Sequence, residues 1–413
     1  MRMYEISKQI VMEAYEKVEA NKGAAGVDNV TLADFDKDLK NNLYKIWNRM
    51  SSGSYFPPPV RLVEILKSDG KTRKLGIPTV GDRVAQMVAK MYLEPQIEPH
   101  FHEDSYGYRP NKSAHDAISV ARKRCWEYDW VIDVDIKGFF DNLDHELVMR
   151  AVKKHTECKW LLLYIERWLK APMEIKAGQT QERTMGTPQG GVISPLLANL
   201  FLHYAFDKWM KDNYSQNPFE RYADDIIVHC KTQEEAELLL EAIRKRLKDC
   251  KLELHPEKTQ IVYCKDDNRD GGFHQEKFDF LGYTFRPRLA KGQGGNHFVS
   301  FLPAISDKAA RTIRQKMQDW QLQSRSGASL EDIADDIDPV IRGWLKYYGK
   351  FYKSALYPIF ETLNGRLAKW AKRKYKRLRS SKKRAMQWIE RIAASQPDMF
   401  AHWQAGIVQA SEQ

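Results

Sequence analysis

The chain has 413 residues, 43% of them hydrophobic, which is long enough for two or three domains. No apolar run approaches the roughly 18 residues of a membrane span, and the charged N-terminus is not typical of a secretory signal. The five cysteines are scattered singly without a CxxC pair, which disfavours a disulfide framework and a structural zinc site. We therefore expect a reduced, cytoplasmic protein without a membrane partner.

The charge is concentrated in one segment. The chain has 66 basic and 55 acidic residues, and residues 366–384 contain eleven Lys or Arg and no acid. A localised cationic patch is typical of a polyanion partner, and nucleic acid is favoured over a membrane because the apolar face is thin. Trp370 and Tyr375 interleave with the charge and offer stacking surfaces as well as core anchors. The alternative is a solvated helix face, which would normally mix charges of both signs.

The N-terminal half alternates between helical and extended patterns. Residues 1–50 are predicted to be helical around a Gly-containing turn at 21–29, and residues 80–100 return to helix. Two short strands are expected within 57–78, around the turn Ser68-Asp69-Gly70. Residues 131–140 alternate like a strand, which places Asp133 and Asp135 on one face.

The middle of the chain predicts a helix, a hairpin and a second helix. Ser194 is the predicted N-cap of a helix with Pro195 at its first position. The sequence YADD (222–225) is expected in a hairpin, followed by a helix over 234–248 and a strand pair ending in FDFLGYTF (278–285).

A domain boundary is predicted at 287–297, which is rich in Gly and basic residues, and only helices are expected beyond it. The second of these helices opens with a capping box from Ser329 to Asp332. The third places Ile359, Leu363, Leu367 and Trp370 on one face and leads into the basic segment. A mixed α+β body followed by a helical part is therefore expected.

Three acids are the candidate reactive groups. Asp224 and Asp225 precede a buried strand pattern, and Asp135 lies within the strand pattern at 131–140. If these strands are neighbours, the three carboxylates converge, and clustered carboxylates are stable around a hard cation. Mg²⁺ fits because it prefers oxygen ligands and keeps substrate phosphates in its shell, and two such ions assist phosphoryl transfer. A solvated acidic turn is the alternative for YADD alone.

Other residues fit a triphosphate ligand. Lys67, Lys71 and Arg73 lie on the predicted hairpin and could neutralise phosphates, although exposed turn lysines are the alternative for each of them. The loop at 186–195 carries Gln189, and its two glycines allow close approach of the backbone before a helix N-terminus that favours anions.

These motifs resemble the ordered blocks of reverse transcriptases, and more narrowly those of group II intron-encoded proteins. The resemblance spans nearly the whole chain up to about residue 385 and includes NKGAAGVD near the N-terminus and IRGWLKYYGKF after residue 305. Its remaining blocks are LGIPTVGDR, YGYRP, DIKGFFDNLDH, GTPQGGVISPLLANL, YADD, LHPEKT and FDFLGYTF.

The resemblance implies a role for individual residues. Asp135, Asp224 and Asp225 match a metal-binding triad, completed by the backbone carbonyl of Ile136. The implied nucleotide contacts are Phe140 as the steric gate against a ribose 2′-OH, Gln189 at the sugar, and Lys67 and Arg73 at the triphosphate. Lys258 matches the lysine that protonates pyrophosphate, and Phe280, Leu281 and Gly282 match the primer grip. The candidate RNA contacts in the basic helix are Lys369, Lys372, Arg373, Lys376 and Arg377.

The implied fold is α+β: a right-hand polymerase with fingers and a ferredoxin-like palm, followed by an α-helical thumb or maturase domain. We expect an N-terminal extension and start of the fingers at 1–58, the fingers and palm at 59–287, the thumb at 305–385 and a tail at 386–413. The implied cofactors are two Mg²⁺ ions, with Mn²⁺ as a substitute. The implied partners are group II intron RNA, an RNA template with a DNA primer, dNTPs and target DNA.

The expected function is RNA-directed DNA synthesis together with binding of intron RNA in splicing and retrohoming. Two alternatives stay open: an RNA-binding splicing cofactor with incidental polymerase activity, and a domesticated relative in DNA repair or phage defence. Many relatives continue into a cysteine-rich endonuclease. Because no cysteine follows Cys264, we expect that domain to be absent.

Overall fold

The computed structural model describes residues 3–66, 72–176, 178–292 and 294–408. The chain forms two compact units, which we call the first unit (Met1–Ala121 and Trp130–Ile261) and the second unit (Arg122–Asp129 and Val262–Gln413). Each unit has its own cluster of buried apolar side chains. Among the described helices, none combines the length and the apolar character needed to cross a membrane.

The first unit contains most of the strands. Its helices are α1 Lys8–Ala20, α2 Leu32–Asp36, α3 Leu39–Ser52, α4 Val80–Ile97, α5 Ala114–Glu127, α6 His145–Lys153, α7 Lys159–Lys170, α8 Ser194–Leu202, α9 Lys208–Asn213 and α10 Gln233–Asp249. Its strands are β1 Val60–Leu66, β2 Thr72–Ile77, β3 Trp130–Asp135, β4 Met173–Lys176, β5 Gln179–Gln181, β6 Phe219–Tyr222, β7 Asp225–Cys230 and β8 Gln260–Tyr263. The ends of α5 and β8 extend across the boundary between the units.

One four-stranded sheet has the order β6-β7-β3-β8. With helices between β3 and β6 and α10 between β7 and β8, this is the β-α-β-β-α-β order of a ferredoxin-like sheet. The alternation predicted for β3 is present from Ile132 to Asp135, because Ile132 and Val134 are buried whereas Asp133 and Asp135 are partly exposed; Val131, on the face of the two acids, is also buried. The strand ends at Asp135 and does not reach residue 140 as predicted, since Phe139–Asp141 form a 3₁₀ turn. The palm that the resemblance implied is present.

A second sheet has the order β2-β1-β4-β5 and corresponds to the fingers. The predicted hairpin is confirmed, since β1 and β2 are antiparallel from Arg61–Ile77 to Leu66–Thr72. Its predicted turn, Ser68-Asp69-Gly70, lies outside the described residues, as do Lys67 and Lys71.

The N-terminal block is anchored to α4 by a buried arginine. Arg83 donates from Nη1 to the carbonyl oxygen of Lys22 (3.1 Å) and from Nη2 to that of Ala24 (2.9 Å). A Cβ at Gly26 would lie 2.7 Å from the backbone of Thr79, so only glycine permits this approach. The residues of NKGAAGVD therefore hold their shape through contacts with LGIPTVGDR.

Ser194 is not the N-cap of α8, as the sequence had predicted. Ile193 occupies the N-cap position and Ser194 is the first helical residue, with Pro195 following. The Ser194 hydroxyl accepts a hydrogen bond from Thr187 Oγ1 (2.8 Å), and Gln86 Oε1 accepts from the backbone N–H groups of Val192 (2.8 Å) and Ile193 (3.3 Å). A side chain from α4 therefore replaces the local cap.

The second unit combines a small sheet with five helices in the described residues. Its strands are β9 Phe278–Phe280, β10 Tyr283–Lys291 and β11 His297–Ile305, in the order β11-β10-β9. Its helices are α11 Asp307–Asp319, α12 Leu330–Tyr348, α13 Tyr357–Lys374, α14 Lys382–Ser395 and α15 Ala401–Gln404. The predicted capping box of α12, from Ser329 to Asp332, is confirmed.

The predicted purely helical region after residue 297 is wrong at its start, because β10 and β11 pair along their whole length. The second compact unit includes the residues from Val262 onward, so the sheet β9–β11 belongs to the same unit as the helices that follow it. Tyr347 of α12 joins the sheet to the helices, since its hydroxyl donates to the Leu281 carbonyl oxygen (2.8 Å).

The segment 386–413 is not a detached tail over its described part. Trp388, Ile389, Phe400 and Trp403 belong to the apolar core of the second unit. The Asn364 side chain accepts hydrogen bonds from Trp403 Nε1 (2.9 Å) and pairs with His402 Nε2 (2.8 Å). Aromatic burial integrates this segment into the helical domain, a signal that the sequence prediction did not use.

Candidate active site and nucleic-acid contacts

Two of the three candidate carboxylates are direct cross-strand partners. Asp135 ends β3 and Asp225 begins β7, and they face each other in the antiparallel pairing. Directly opposed residues have Cβ atoms about 4.5–5.5 Å apart, close enough for two carboxylates to share one cation. Asp224 is next along the chain, in the two-residue turn between β6 and β7.

The donor set suits a hard divalent cation, because carboxylate oxygens are the ligands that Mg²⁺ prefers. Within the part of the chain that the structure describes, no group of three His, Cys, Asp or Glu side chains is arranged so that it could hold a metal ion. The structure shows that Asp135 and Asp225 face each other across the two strands. Joint binding of a metal ion by all three acids stays a prediction.

A buried arginine stabilises the turn that carries Asp224. Arg221 is fully buried and forms a bidentate ion pair with Asp207, with both N–O distances at 2.6 Å. Its Nη1 also donates to Asn199 Oδ1 (2.9 Å) and to the Ala223 carbonyl oxygen (3.1 Å), and Nη2 donates to Ser105 Oγ (2.8 Å). The guanidinium thus holds the residue immediately before Asp224.

Ala223 needs that support because its backbone is left-handed, with φ at 57°. Non-glycine residues seldom adopt this region and usually do so where the surroundings impose it. Gly107 packs against the turn so closely that a Cβ there would lie 2.5 Å from Ala223 N. The Gly107 carbonyl oxygen is fixed in turn by Asn199 Nδ2 (2.6 Å). The motifs YGYRP and YADD therefore form one packed element.

Lys258, whose expected role is to protonate pyrophosphate, lies beside Asp135. Its Nζ is 3.4 Å from Asp135 Oδ2, and the lysine side chain is 56% exposed, which leaves it free to reorient. The loop is fixed to β3 because His255 N donates to the Asp135 carbonyl oxygen (2.8 Å). Ile136, whose carbonyl is the expected further ligand, forms a bridge with Leu254 from the same loop.

Phe140 and Gln189 lie on two segments that are bonded to each other. The Phe140 carbonyl oxygen accepts from Thr187 N (2.8 Å), and the Gln189 carbonyl oxygen accepts from Gly76 N of β2 (2.8 Å). The Phe140 ring is 9% exposed and packs against Phe139, with ring centroids 5.2 Å apart. The loop at 186–191 thus joins the segment after β3 to the fingers sheet.

The side chains of the two residues expected to contact the triphosphate lie outside the described part of the structure. Lys67 lies outside the described residues. Arg73 is in β2 opposite Ile65, and its side chain is outside the description. Their roles stay predictions.

A buried carboxylate stabilises the loop before α8 indirectly. Asp82 of α4 accepts hydrogen bonds from Tyr55 (2.7 Å), Trp168 (2.8 Å) and Gln86 (2.9 Å). Burial raises the pKa of Asp82, and these three hydrogen bonds oppose that rise. Gln86 then accepts from the backbone of the 186–193 loop.

The sequence analysis missed five buried polar residues that support the site: Arg221, Asp207, Asn199, Gln86 and Asp82. A lone charged residue beside an apolar pattern is usually on the surface, so nothing local marks these as buried. The one available signal was the position of Arg221 directly before YADD.

The expected primer grip forms a tight turn between β9 and β10. Leu281 (φ 52°) and Gly282 (φ 81°) are both left-handed, as in the two-residue hairpins that suit strand twist. The Leu281 carbonyl oxygen accepts from Tyr347 Oη (2.8 Å), and the Gly282 carbonyl oxygen accepts from Ser306 N (2.9 Å). The Leu281 side chain is partly exposed.

The basic segment is not one continuous helix, as had been predicted. Helix α13 ends at Lys374 because Tyr375 is extended (φ −107°, ψ 117°), and Lys376 and Arg377 lie in a short 3₁₀ turn. Lys369, Arg373, Lys376 and Arg377 are exposed and Lys372 is partly exposed. Trp370 and Leu378 are buried in the core, and the full burial of Trp370 removes it as a stacking surface for bases.

Comparison with known proteins agrees with this geometry. The family model for reverse transcriptase (RNA-dependent DNA polymerase) matches residues 65–285, and the model for the group II intron maturase-specific domain matches residues 310–388. The chain therefore belongs to the reverse transcriptase family of RNA-directed DNA polymerases, in the branch of group II intron-encoded reverse transcriptase/maturases.

Several curated proteins are similar. Protein YkfC of Escherichia coli is 34% identical over 330 residues, which covers 70% of this chain and 84% of that protein. The group II intron-encoded protein LtrA of Lactococcus lactis is 35% identical over 203 residues, 48% of this chain and 33% of LtrA. The chain thus matches about a third of LtrA's length.

A yeast protein and a solved structure are more distant. The putative COX1/OXI3 intron 1 protein of Saccharomyces cerevisiae is 29% identical over 203 residues, 49% of this chain and 24% of that protein. A telomerase structure from Candida albicans, solved with a fragment of telomeric RNA, has a TM-score of 0.48 at 10% identity and covers 89% of this chain and 70% of that chain. We draw no argument from that likeness.

Proposed function

We propose that this chain extends a DNA primer with dNTPs on an RNA template, and that a group II intron RNA is both its natural template and its binding partner in splicing and retrohoming into target DNA. The order of the two matched domains, with a reverse transcriptase followed by a maturase-specific domain, supports this pairing of activities. The intron partner is supported by the similarity to LtrA, a group II intron-encoded protein.

The observation that carries the proposal is the in-register pair Asp135–Asp225, with Asp224 in the adjoining turn. These acids and the carbonyl of Ile136 would hold two Mg²⁺ ions, or Mn²⁺ in their place. When bound, such ions neutralise charge on the attacking and leaving oxygens of a phosphoryl transfer. The buried ion pair Arg221–Asp207 keeps the turn in one conformation, so the carboxylates need little reorganisation.

The remaining roles belong to the side chains around the carboxylates. Lys258 would give a proton to the departing pyrophosphate, a role supported by the 3.4 Å distance of its Nζ from Asp135 Oδ2 and by its exposed side chain. Phe140 limits the space for a 2′-OH, and its carbonyl is fixed by Thr187 N. Gln189 would contact the sugar, and Lys67 and Arg73 would contact the triphosphate.

Two further groups would hold nucleic acid. The turn Phe280-Leu281-Gly282 would contact the primer, and its partly exposed Leu281 side chain is consistent with that role. The basic residues Lys369, Lys372, Arg373, Lys376 and Arg377 would contact RNA phosphates, which set affinity and orientation without reading sequence.

The test is a pair of isosteric substitutions in neighbouring acids. Asp224→Asn and Asp135→Asn should abolish RNA-templated primer extension while RNA affinity stays close to wild type, because binding rests on remote basic residues. Asp133→Asn is the matched control. It lies two residues before Asp135 on the same strand face and accepts a hydrogen bond from Gln260 Nε2 (3.0 Å) that Asn can also accept. Extension at near wild-type rate by the Asp224 variant would exclude this acid as a ligand.

Splicing assistance should survive Asp224→Asn, since it requires RNA binding without polymerisation. Loss of both activities in a variant that still folds would contradict a separable maturase role. Retention of polymerisation with no stimulation of any intron RNA would instead favour a domesticated reverse transcriptase.

A further inference from the structure

One residue of the YGYRP motif combines an exposed aromatic ring with a left-handed backbone. Tyr108 has φ at 57° and is 51% exposed. A side chain in this backbone conformation raises the free energy of the folded state, and a glycine at the same position would avoid that cost. Because half of the residue is exposed, burial of the ring compensates the cost only in part. Packing alone therefore does not explain why a tyrosine stands here.

Hydrogen bonds fix the backbone on both sides of Tyr108. We call residues 104–112 the tyrosine loop. Within the described residues, Arg109 donates twice to Glu98 Oε1 (2.9 and 2.7 Å) and twice to backbone carbonyl oxygens earlier in the chain (2.6 and 2.7 Å). Gly107, on the other side, packs against the YADD turn and is held through its carbonyl oxygen (2.6 Å). The loop therefore presents the Tyr108 ring in one fixed place.

That place is on the face of the sheet that carries the candidate carboxylates. Asp135 faces Asp225 across β3 and β7, and Asp225 faces Tyr222 across β7 and β6, so their side chains share one face. The rings of Tyr108 and Tyr222 are neighbours, with centroids 6.2 Å apart. Since adjacent strands lie about 4.8 Å apart, Tyr108 is two strand spacings, or ~10 Å, from the acid pair.

A primer–template bound for the proposed reaction would turn its minor groove toward this ring. The primer 3′ end must reach the acid pair, and the paired template strand then lies further along the same surface. An RNA–DNA hybrid is A-form, with a deep, narrow major groove that side chains do not enter. Its minor groove is wide and shallow and displays base edges and the 2′-hydroxyls of the RNA strand. An exposed ring on this face therefore meets the template side of that groove.

We propose that Tyr108 contacts the template strand in the minor groove beside the reacting end, and that its hydroxyl favours an RNA template over a DNA template. A phenol donates and accepts hydrogen bonds, as a ribose 2′-OH does. None of the described residues forms a hydrogen bond with the Tyr108 hydroxyl. The inference rests on the proposed function and adds to it a residue that distinguishes the two kinds of template.

The competing explanation is structural. The Tyr108 ring also covers Tyr222, and this contact would by itself help to keep the YADD turn in place. In that case the hydroxyl has no role, and loss of the ring destabilises the protein without changing its choice of template.

The experiment separates the hydroxyl, the ring and the backbone. Tyr108→Phe removes only the hydroxyl, whereas Tyr108→Gly removes the ring and relieves the left-handed strain. Asn111→Gly is the matched control, because Asn111 is a left-handed residue of the same loop (φ 59°) without an aromatic ring. One DNA primer is annealed to an RNA template and to a DNA template of the same sequence. For the full chain, kcat and KM of extension, the Kd of each duplex without nucleotide and the unfolding temperature are measured.

Tyr108→Phe should lower the preference for the RNA template, in kcat/KM and in Kd, by about threefold to tenfold, the scale of one hydrogen bond, while kcat stays unchanged. Tyr108→Gly should raise KM on both templates. Its unfolding temperature should not fall, because relief of the strain offsets the greater freedom of glycine in the unfolded chain. Asn111→Gly should keep the wild-type kinetics and the wild-type template preference.

An identical template preference in wild type and Tyr108→Phe would overturn the inference. A lower unfolding temperature with an unchanged KM for Tyr108→Gly would also overturn it and assign the ring to the support of Tyr222. The Kd measurement does not depend on catalysis, so Asp224→Asn should lose extension and keep the wild-type preference in Kd. A wild-type chain that prefers the hybrid through Tyr108 but extends neither primer would contradict the proposed polymerase function and support this contact.

Discussion

Two tight turns of this molecule each hold a non-glycine residue in the left-handed backbone conformation, but different interactions stabilise them. The turn between β6 and β7 holds Ala223 left-handed, and the turn between β9 and β10 holds Leu281 left-handed. The first is fixed by the fully buried ion pair of Arg221 with Asp207. The second is fixed by neutral donors, Tyr347 Oη and Ser306 N, on the carbonyl oxygens of Leu281 and Gly282.

The difference follows from what each turn is proposed to carry. Asp224 and Asp225 bring negative charge to a strand end, and Arg221, itself neutralised by Asp207, fixes the backbone that carries them through the Ala223 carbonyl oxygen. The turn at Leu281 carries an apolar side chain and a backbone surface, for which one tyrosine hydroxyl and one backbone N–H suffice. A charged network is costly if broken, whereas a neutral one loses about one hydrogen bond at a time.

The largest effect is expected from opening the charged network. Asp207→Asn leaves the guanidinium of Arg221 buried without its counter-charge, which should lower the free energy of unfolding by about 3–5 kcal/mol. The matched control is Asp212→Asn in the exposed pair with Lys208 (2.9 Å), which should cost no more than about 1 kcal/mol. Chemical unfolding of both variants checks this. Equal losses would show that the buried pair does not carry the turn.

The stability of the same region should depend on pH through His203. Burial lowers the pKa of His203 to about 4. Four neighbours also act on it electrostatically: Asp207, Arg221, His155 and His100. The neutral form is favoured in the folded state, so its stability contribution is complete above the ordinary pKa near 6.5 and is lost as pH falls toward 4. Between pH 7 and 5 the folded state should lose about 2 kcal/mol through this group.

His203→Gln should remove that part of the acid sensitivity. The comparison is the difference in unfolding free energy between pH 7 and 5 for wild type and variant. An identical pH dependence in the two proteins would contradict the assignment, and His402 of the second unit, whose pKa burial lowers to about 3, would then be the next group to replace.

Phe140→Val tests whether the Phe140 ring excludes ribonucleotides in favour of deoxyribonucleotides. Opening space at the ring should raise the use of rNTP relative to dNTP by about tenfold or more, the scale of one well-packed group in a pocket. The ratio of kcat/KM for the two nucleotides measures it. Phe139→Leu, in the neighbouring core residue that is 2% exposed, is the control and should change stability alone. A lower stability with an unchanged ratio for Phe140→Val would make Phe140 an ordinary core residue.

The smallest effect is expected at the neutral turn. Leu281→Gly relieves the left-handed strain of a side chain and should stabilise the second unit by up to about 1–2 kcal/mol. If the Leu281 side chain grips the primer, extension should weaken although the protein is more stable, with a higher KM for primer–template. A more stable variant with unchanged kinetics would reduce this turn to a structural hairpin.

The sequence determined the elements that depend on local chemistry. The alternation in β3, the β1–β2 hairpin, the capping box of α12 and the helical spacing of Ile359, Leu363 and Leu367 all follow from short-range periodicity and hydrogen-bonding propensity. The motifs carried the family assignment and named Asp135, Asp224, Asp225 and Lys258 in their order along the chain.

Tertiary structure decided what depends on partners that are distant in sequence. Asp135 and Asp225 meet only because β3 and β7 pair in that register, and Arg221 is buried only because Asp207, Asn199 and Ser105 supply its acceptors. Gln86 replaces the local cap of α8 in the same way. The basic segment divides at Tyr375, whose backbone is extended and whose ring packs on Trp388, a residue of the following helix. Local patterns specify which elements form, and long-range burial and hydrogen bonding specify which charges they bring together.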